Sequence, residues 1–253
     1  MRILVISDIH GNIEALEACL EAAGAAGYDR VFNLGDVVGY GASPNEVVAR
    51  SRELGGIFVR GNHDKACSGI TNAEDFNHIA ALAAFWTKQQ LSPENLQWVK
   101  DLPKGPIKSE GVAEVQCVHG SPLDEDEYII VVRDSYEPLM EANAALTFFG
   151  HTHIQGGFAV DREEWATLRP LYDSEDKAEK FTFPMKKGAR YLINPGSVGQ
   201  PRDGDWRAAF AIFDSDTYSI DFFRIPYDVK ATQKRIYDAG LPDRLASRLS
   251  EGR

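Results

Sequence analysis

The chain is short of three things, and each shortage removes a class of protein. It has no run of about 18 apolar residues that could cross a bilayer, and its first residues, MRILVISDIHG, lack the long apolar segment and small-residue cleavage site of a signal peptide. A cytoplasmic location with no membrane partner is therefore expected. Cysteine is scarce: Cys19, Cys67 and Cys117 are an odd number without a CxxC pair. That argues against a disulfide framework or a thiolate zinc site and fits small buried thiols in a reducing compartment. Basic residues are also short, with 27 Lys and Arg against 38 Asp and Glu, for a formal charge of -11. Polyanionic partners are met by clustered cations, so extended nucleic-acid binding is not expected. Any phosphate chemistry must then draw positive charge from metal ions. No internal repeat or linker-like stretch divides the 253 residues, and 43% hydrophobic content supports a sizeable core, so one domain spanning 1–253 is expected.

What the chain does have is histidine in a pattern. Of its six histidines, four fall in Asp8-Ile9-His10, Gly61-Asn62-His63-Asp64 and Gly150-His151-Thr152-His153, and His119 ends a further apolar run before Gly120. Gly35-Asp36 has the same setting. Only His78 stands apart, inside a helical pattern, where an ordinary surface or half-buried histidine is expected.

The apolar run Ile3-Leu4-Val5-Ile6 is short and rich in β-branched residues, as for a strand covered on both faces. Ile13, Leu16, Leu20 and Ala23 then recur at helical spacing behind a candidate cap, Asn12, until Gly24 and Gly27. A strand over Arg30–Leu34, a helix over Pro44–Leu54 and a strand over Gly56–Arg60 complete a βαβαβ alternation, which implies a parallel sheet with right-handed crossovers. Helices are expected over Asn72–Leu91, Pro93–Leu102 and Glu137–Leu146, and strands over Gly111–Val118 and Leu146–Phe149. Asp124-Glu125-Asp126-Glu127 reads as a solvated loop. After Gly150 the alternation ends, and short strands over Gly156–Val160, Arg190–Ile193, Ala208–Phe213 and Ser219–Ile225 suggest a second, largely antiparallel sheet completing a sandwich. The charged stretch Asp161–Gly188 reads as an excursion of that sheet, and Val229–Gly252 as two amphipathic helices broken at Gly240-Leu241-Pro242.

In open α/β sheets, ligands gather beyond the strand C-termini, and the polar clusters all follow strands. Asp8 and His10, two residues apart, share a face at a strand end. Asp36 and Asn62 come from neighbouring strand ends, and His119, His151 and His153 add imidazole nitrogens, which suit Mn, Fe, Zn or Ni better than Ca. Two divalent ions about 3.5–4 Å apart can clamp the attacking and leaving oxygens of a phosphoryl transfer and lower the pKa of a bound water. Singly, each cluster is an ordinary turn or surface feature. Together, and in this order, they are specific.

Asp8-x-His10, Gly35-Asp36, Gly61-Asn62-His63-Asp64, His119 and Gly150-His151-Thr152-His153 resemble the ordered motifs of the calcineurin-like metallophosphoesterases. The resemblance implies an α/β sandwich of two mixed β-sheets flanked by helices. It also implies Asp8, His10 and His153 at one metal, Asn62, His119 and His151 at the second, and Asp36 bridging. His63 would act as general acid or phosphate donor, oriented by Asp64. Many members have Gly-Asp-x-x-Asp-x-Gly, whereas this chain has Gly39 in place of the second Asp, in Gly39-Tyr40-Gly41. With Asn194-Pro195-Gly196-Ser197-Val198-Gly199-Gln200-Pro201-Arg202, that form is similar to the small prokaryotic branch of YfcE-like phosphodiesterases and diadenosine-tetraphosphatase-related proteins. The segment is either a sheet corner or a pocket rim offering Arg202 to a phosphate. Tyr40 either stacks on a nucleobase or packs.

The expected function is hydrolysis of a small phosphate ester or nucleotide substrate, a phosphodiester or nucleotide polyphosphate, by a metal-activated hydroxide, with two divalent ions and manganese favoured. A phosphomonoester or phosphoprotein phosphatase, a nuclease and a non-catalytic metal-containing nucleotide-binding scaffold are the alternatives.

Overall fold

A computed structural model describes residues 1–109, 111–112 and 114–253. The first half alternates as β1 (Arg2–Ile6), α1 (Ile13–Ala26), β2 (Arg30–Asn33), α2 (Pro44–Leu54), β3 (Ile57–Phe58), α3 (Asn62–Ser68), α4 (His78–Gln90) and α5 (Pro93–Lys100). There follow β4 (Ile107–Lys108), β5 (Val115–Cys117), α6 (Tyr136–Glu141), β6 (Leu146–Phe148), β7 (Gly156–Asp161), β8 (Glu164–Leu168), β9 (Glu179–Pro184) and β10 (Arg190–Asn194). The chain finishes with β11 (Ala208–Asp214), β12 (Ser219–Ile225), α7 (Val229–Asp238) and α8 (Asp243–Ser247). Of the strand expected over Gly111–Val118, Val115–Cys117 forms, and Ala113 lies outside the described residues.

Two mixed sheets of six strands result, in the orders β3-β2-β1-β11-β12-β9 and β4-β5-β6-β10-β7-β8. β1 runs parallel to β2 and antiparallel to β11, so it is interior to its sheet and its apolar run is continuous for that reason. Its alternate residues serve two different cores. Leu4 and Ile6 face a layer of helices with Leu16, Leu20, Val47 and Val99, while Ile3 and Val5 face the other sheet with Phe32, Phe148, Phe213 and Phe222. The period of 2 in strand side chains makes that division possible. The late strands split between the sheets: β11 and β12 join β1, and β7 and β10 join β6. The stretch Asp161–Gly188 supplies strands to both, β8 to one and β9 to the other.

One helical expectation is corrected, and one helix was not expected. The helix expected from Asn72 starts at His78, because the Asn77 side chain accepts the Ala80 N–H at 3.0 Å and ends the pattern N-terminally. Residues 72–77 form a loop instead. The short helix α3, which begins inside Gly61-Asn62-His63-Asp64, has no apolar periodicity to announce it. It is started by Asp64, whose carboxylate accepts the Gly61 N–H at 3.0 Å. Among the described residues, no helix is long and apolar enough to cross a membrane.

Candidate metal centre

The polar clusters meet where the C-termini of parallel strands from both sheets adjoin. Asp8 and His10 follow β1, Asp36 follows β2, Asn62 opens α3 after β3, His119 follows β5, and His151 and His153 follow β6. Backbone bonds lace these loops together: the amides of Asp8 and His10 donate to the carbonyls of Gly35 and Asp36, and that of Gly150 to His119. Asp8, His10, Asp36, His151 and His153 all have positive φ, from 49° to 65°. Left-handed backbone is uncommon for non-glycine residues and costs about 1–3 kcal/mol each, so its concentration here marks a site that the surrounding structure holds in place.

Side-chain donors converge in two groups that share Asp36. One oxygen or nitrogen each from Asp8, His10, Asp36 and His153 lie within 4.8 Å of one another, as do those from Asp36, His119 and His151. Asp36 Oδ2 stands between the groups, 3.6 Å from His10 Nε2 and 3.4 Å from His119 Nε2. The Asn62 side-chain oxygen lies 3.2 Å from His119 Nε2.

The histidine tautomers decide whether this cluster fits metal. His10 Nδ1 faces the carbonyl of Val38 at 3.2 Å, His153 Nδ1 that of Gln200 at 2.6 Å, His119 Nδ1 that of Leu34 at 2.8 Å, and His151 Nε2 that of Asp126 at 3.1 Å. A carbonyl only accepts, so each of these nitrogens carries the proton and the other presents a lone pair. The free nitrogens then face one another, His10 Nε2 and His153 Nε2 at 3.2 Å and His119 Nε2 and His151 Nδ1 at 3.1 Å. In the neutral rings, neither member of such a pair has a proton to share. Buried Asp8 Oδ2 has no hydrogen-bond partner either. Lone pairs aimed at common points in a buried pocket are what a divalent cation satisfies, so the residues fit a two-ion centre.

Without cations the site is electrostatically frustrated. Burial pushes Asp8 up to about 7, against the pull of His119 and with the added repulsion of Asp36. Burial lowers His10 and His153, and lowers His151 to about 3. His119 is the exception: burial opposes its charge, yet the neighbouring Asp36 carboxylate raises it to about 10, so without a cation its Nε2 also carries a proton, which a bound cation would replace.

His63 sits beside the cluster and is held by packing. Its ring lies 4.3 Å from that of Tyr40, 4.5 Å from Phe76 and 4.9 Å from His10. Its Nδ1 is buried without a partner, and burial lowers its pKa to about 4. The expected orientation by Asp64 is corrected. Asp64 Oδ2 accepts the amides of Asp36 at 2.8 Å and Gly61 at 3.0 Å, and Oδ1 accepts that of Val38 at 3.2 Å. Asp64 therefore clamps the loop that carries Asp36. Tyr40 is buried, 4.7 Å from the His10 ring, and packs. Its hydroxyl meets Arg202 Nη2 at 3.4 Å, and Arg202 also binds the Gln200 side-chain oxygen at 3.1 Å. His78 is exposed at the start of α4, away from the cluster.

Three participants were not expected. The acidic loop is fixed: Arg60 makes two bonds to Glu125 at 3.0 and 3.1 Å, and buried Lys65 binds both oxygens of Asp126 at 2.7 and 2.6 Å. That places the Asp126 carbonyl on His151, which corrects the reading of a merely solvated loop. Tyr128 stacks on His151 with ring centroids 3.8 Å apart. Phe76, Tyr128, His63 and His151 line a cleft of about 380 Å³. No local pattern marks Tyr128 or Phe76. Lys65 was legible only as a cation three residues past Asn62.

A buried cluster of Asp and His at the junction of two mixed sheets is suited to a divalent metal. Residues 1–218 match the calcineurin-like phosphoesterase superfamily domain, and the chain belongs to that family. It is 38% identical over 256 residues to uncharacterized protein MJ0912 of Methanocaldococcus jannaschii, covering 99% of this chain and 98% of that one. A crystal structure of a metallophosphoesterase from Sphaerobacter thermophilus matches with TM-score 0.83 and 39% identity, over 100% of this chain and 99% of the other. A hypothetical protein from Pyrococcus horikoshii matches at TM-score 0.79 and 21% identity, over 100% of this chain and 98% of the other, and shares the fold. YfcE from E. coli also aligns, at TM-score 0.44; a likeness that distant carries no substrate.

Proposed function

We propose that the chain is a two-metal phosphodiesterase acting on a small phosphodiester or nucleotide polyphosphate, with Mn²⁺ as the favoured ion. The observation that carries the reading is the convergence of lone pairs from four tautomer-fixed histidines around Asp36. Asp8, His10 and His153 would hold one ion, Asn62, His119 and His151 the other, with Asp36 shared. When bound, the ion pair neutralises charge on the phosphoryl oxygens and makes water a stronger acid.

The chain's own groups do the rest. His63, with Nδ1 buried against Gly39, has Nε2 left to donate to a phosphoryl or leaving oxygen. Its clamp of aromatic rings keeps that nitrogen in place without a hydrogen-bonding partner to compete. Arg202 supplies fixed positive charge, since its field reaches Asp8, His10, His63, His151 and His153. Lys65, a cation that lines the cleft, is already neutralised by Asp126 and Glu125. One available arginine favours a singly charged diester over a doubly charged monoester.

The test is hydrolysis of a chromogenic phosphodiester and the matching monoester by metal-stripped protein with Mn²⁺ restored. Manganese-dependent turnover that is faster on the diester is expected. Faster turnover of the monoester would overturn the substrate preference, and bound metal without turnover on either ester would overturn the enzymatic reading.

A further inference from the structure

The cleft beside the metal centre has a recognition surface that phosphate hydrolysis alone does not require. Tyr128 covers His151 with its ring at an interplanar angle of 31°, yet 47% of the residue is exposed. Phe76 lines the same cleft, and the remaining lining away from the metal ligands includes exposed Asn72, Asp75 and Asn77. Among the described residues, Asn72 and Asp75 make no side-chain hydrogen bond or ion pair. Ala80 is the one aliphatic side chain of the lining, so an alkyl or acyl group would find little to bury against.

The polarity is divided. Arg202 lies close enough to Tyr128 to influence its hydroxyl, and the metal ligands Asn62 and His151 border the cleft. Asp75 adds an unpaired carboxylate to that lining, which repels phosphate and accepts N–H groups. A flat ring with an N–H edge satisfies both features, because an exposed aromatic face adjoins the unpaired amide of Asn72 and the carboxylate of Asp75.

Resting on the phosphoesterase reading above, we propose that this cleft is a nucleobase site: a base stacks on Tyr128 and turns its N–H edge to Asp75, while its phosphate lies at the metal centre. The substrate is then a nucleotide ester or anhydride. Asn72 and Asn77 are placed to read the remaining edge of the base.

The test measures competitive inhibition of chromogenic diester hydrolysis, on the Mn²⁺-loaded full chain, by AMP, GMP and ribose 5-phosphate. Both nucleotides should bind at least about tenfold tighter than ribose 5-phosphate, the scale of one base–aromatic stack. Tyr128→Ala should bring that ratio close to one, Tyr128→Phe should keep it, and Asp75→Ala, on an exposed loop, should narrow it. Ribose 5-phosphate binding as well as the nucleotides, or a ratio that survives both Tyr128→Ala and Asp75→Ala, would overturn the base site. Calorimetry on the same loaded protein reads the ratio without turnover. A nucleotide preference without diesterase activity would therefore support the base site while sinking the enzymatic reading, and diesterase activity without the preference would do the reverse.

Discussion

Gly39 is the position at which this chain departs from the more usual motif, and Gly39→Ala is the perturbation that probes why. Its φ of +92° already disfavours a side chain, at about 1–2 kcal/mol for an L residue. A Cβ there would also stand 2.6 Å from His63 Nδ1 and 3.1 Å from His63 Cβ and Cγ. Ordinary contact is about 3.4 Å or more, so the imidazole must retreat by roughly 0.8 Å. It has nowhere to go, because Tyr40, Phe76 and His10 enclose the ring with centroids 4.3, 4.5 and 4.9 Å away. Overpacking of this kind adds about 1–3 kcal/mol. The expected total of about 2–5 kcal/mol lowers Tm by about 4–20 °C for a chain of this size. A catalytic group displaced by nearly 1 Å loses on the order of 100-fold in kcat/KM. Metal content should stay at two ions per chain, since Gly39 touches none of the proposed ligands. The assay is diester kinetics beside metal analysis and a melting curve. Undiminished kcat/KM in a folded, fully loaded Gly39→Ala protein would refute the claim that His63 acts from the place its packing dictates.

Two further outcomes follow from groups around the metal ligands. Lys65→Met should free Asp126 and loosen the carbonyl that fixes the His151 tautomer, weakening binding of the second ion by about 10–100-fold; isothermal titration that still shows two equal sites would contradict this. Metal-free protein should also lose stability as pH falls from about 6.5 towards 4. Burial holds His63 at about 4 and His151 at about 3 in the fold, while the unfolded rings protonate near 6.5. Below that pH the unfolded state binds more protons, so each ring removes about 1.4 kcal/mol per pH unit. His10 and His153, also lowered by burial, act in the same sense. Asp8 and Asp64, each pushed up to about 7, take up protons in the fold and offset two of these four imidazoles. His119, raised to about 10, opposes the loss only near pH 6.5, where the unfolded ring is half protonated, so the net change is still a loss. Urea unfolding at pH 7 and 5 checks the sign, and equal stabilities would count against buried neutral imidazoles.

The residues that converge in the candidate metal centre were legible as a group because their pattern is local: each follows a short apolar strand and adjoins a glycine or another polar residue. Strand periodicity likewise placed the βαβαβ half, since the β1 run needs cover on both faces whatever its neighbours are. Other features depended on residues far apart in the chain. Nothing near Ala208–Asp214 says that this strand pairs with Arg2–Ile6, because strand pairing is decided by which sheet face remains to be covered. The role of Asp64 was misread because sequence proximity to His63 suggested a side-chain partner, whereas the three amides it binds are presented by the folded loops. The acidic loop looked solvated because a charge run usually is; only folding brings Arg60 and Lys65 to it. Composition and motif spacing thus determined the donor atoms available and the strand ends they follow. The tertiary structure decided which lone pairs converge, which tautomers are fixed, and which aromatic rings border them, because those depend on distances between segments that the chain order does not encode.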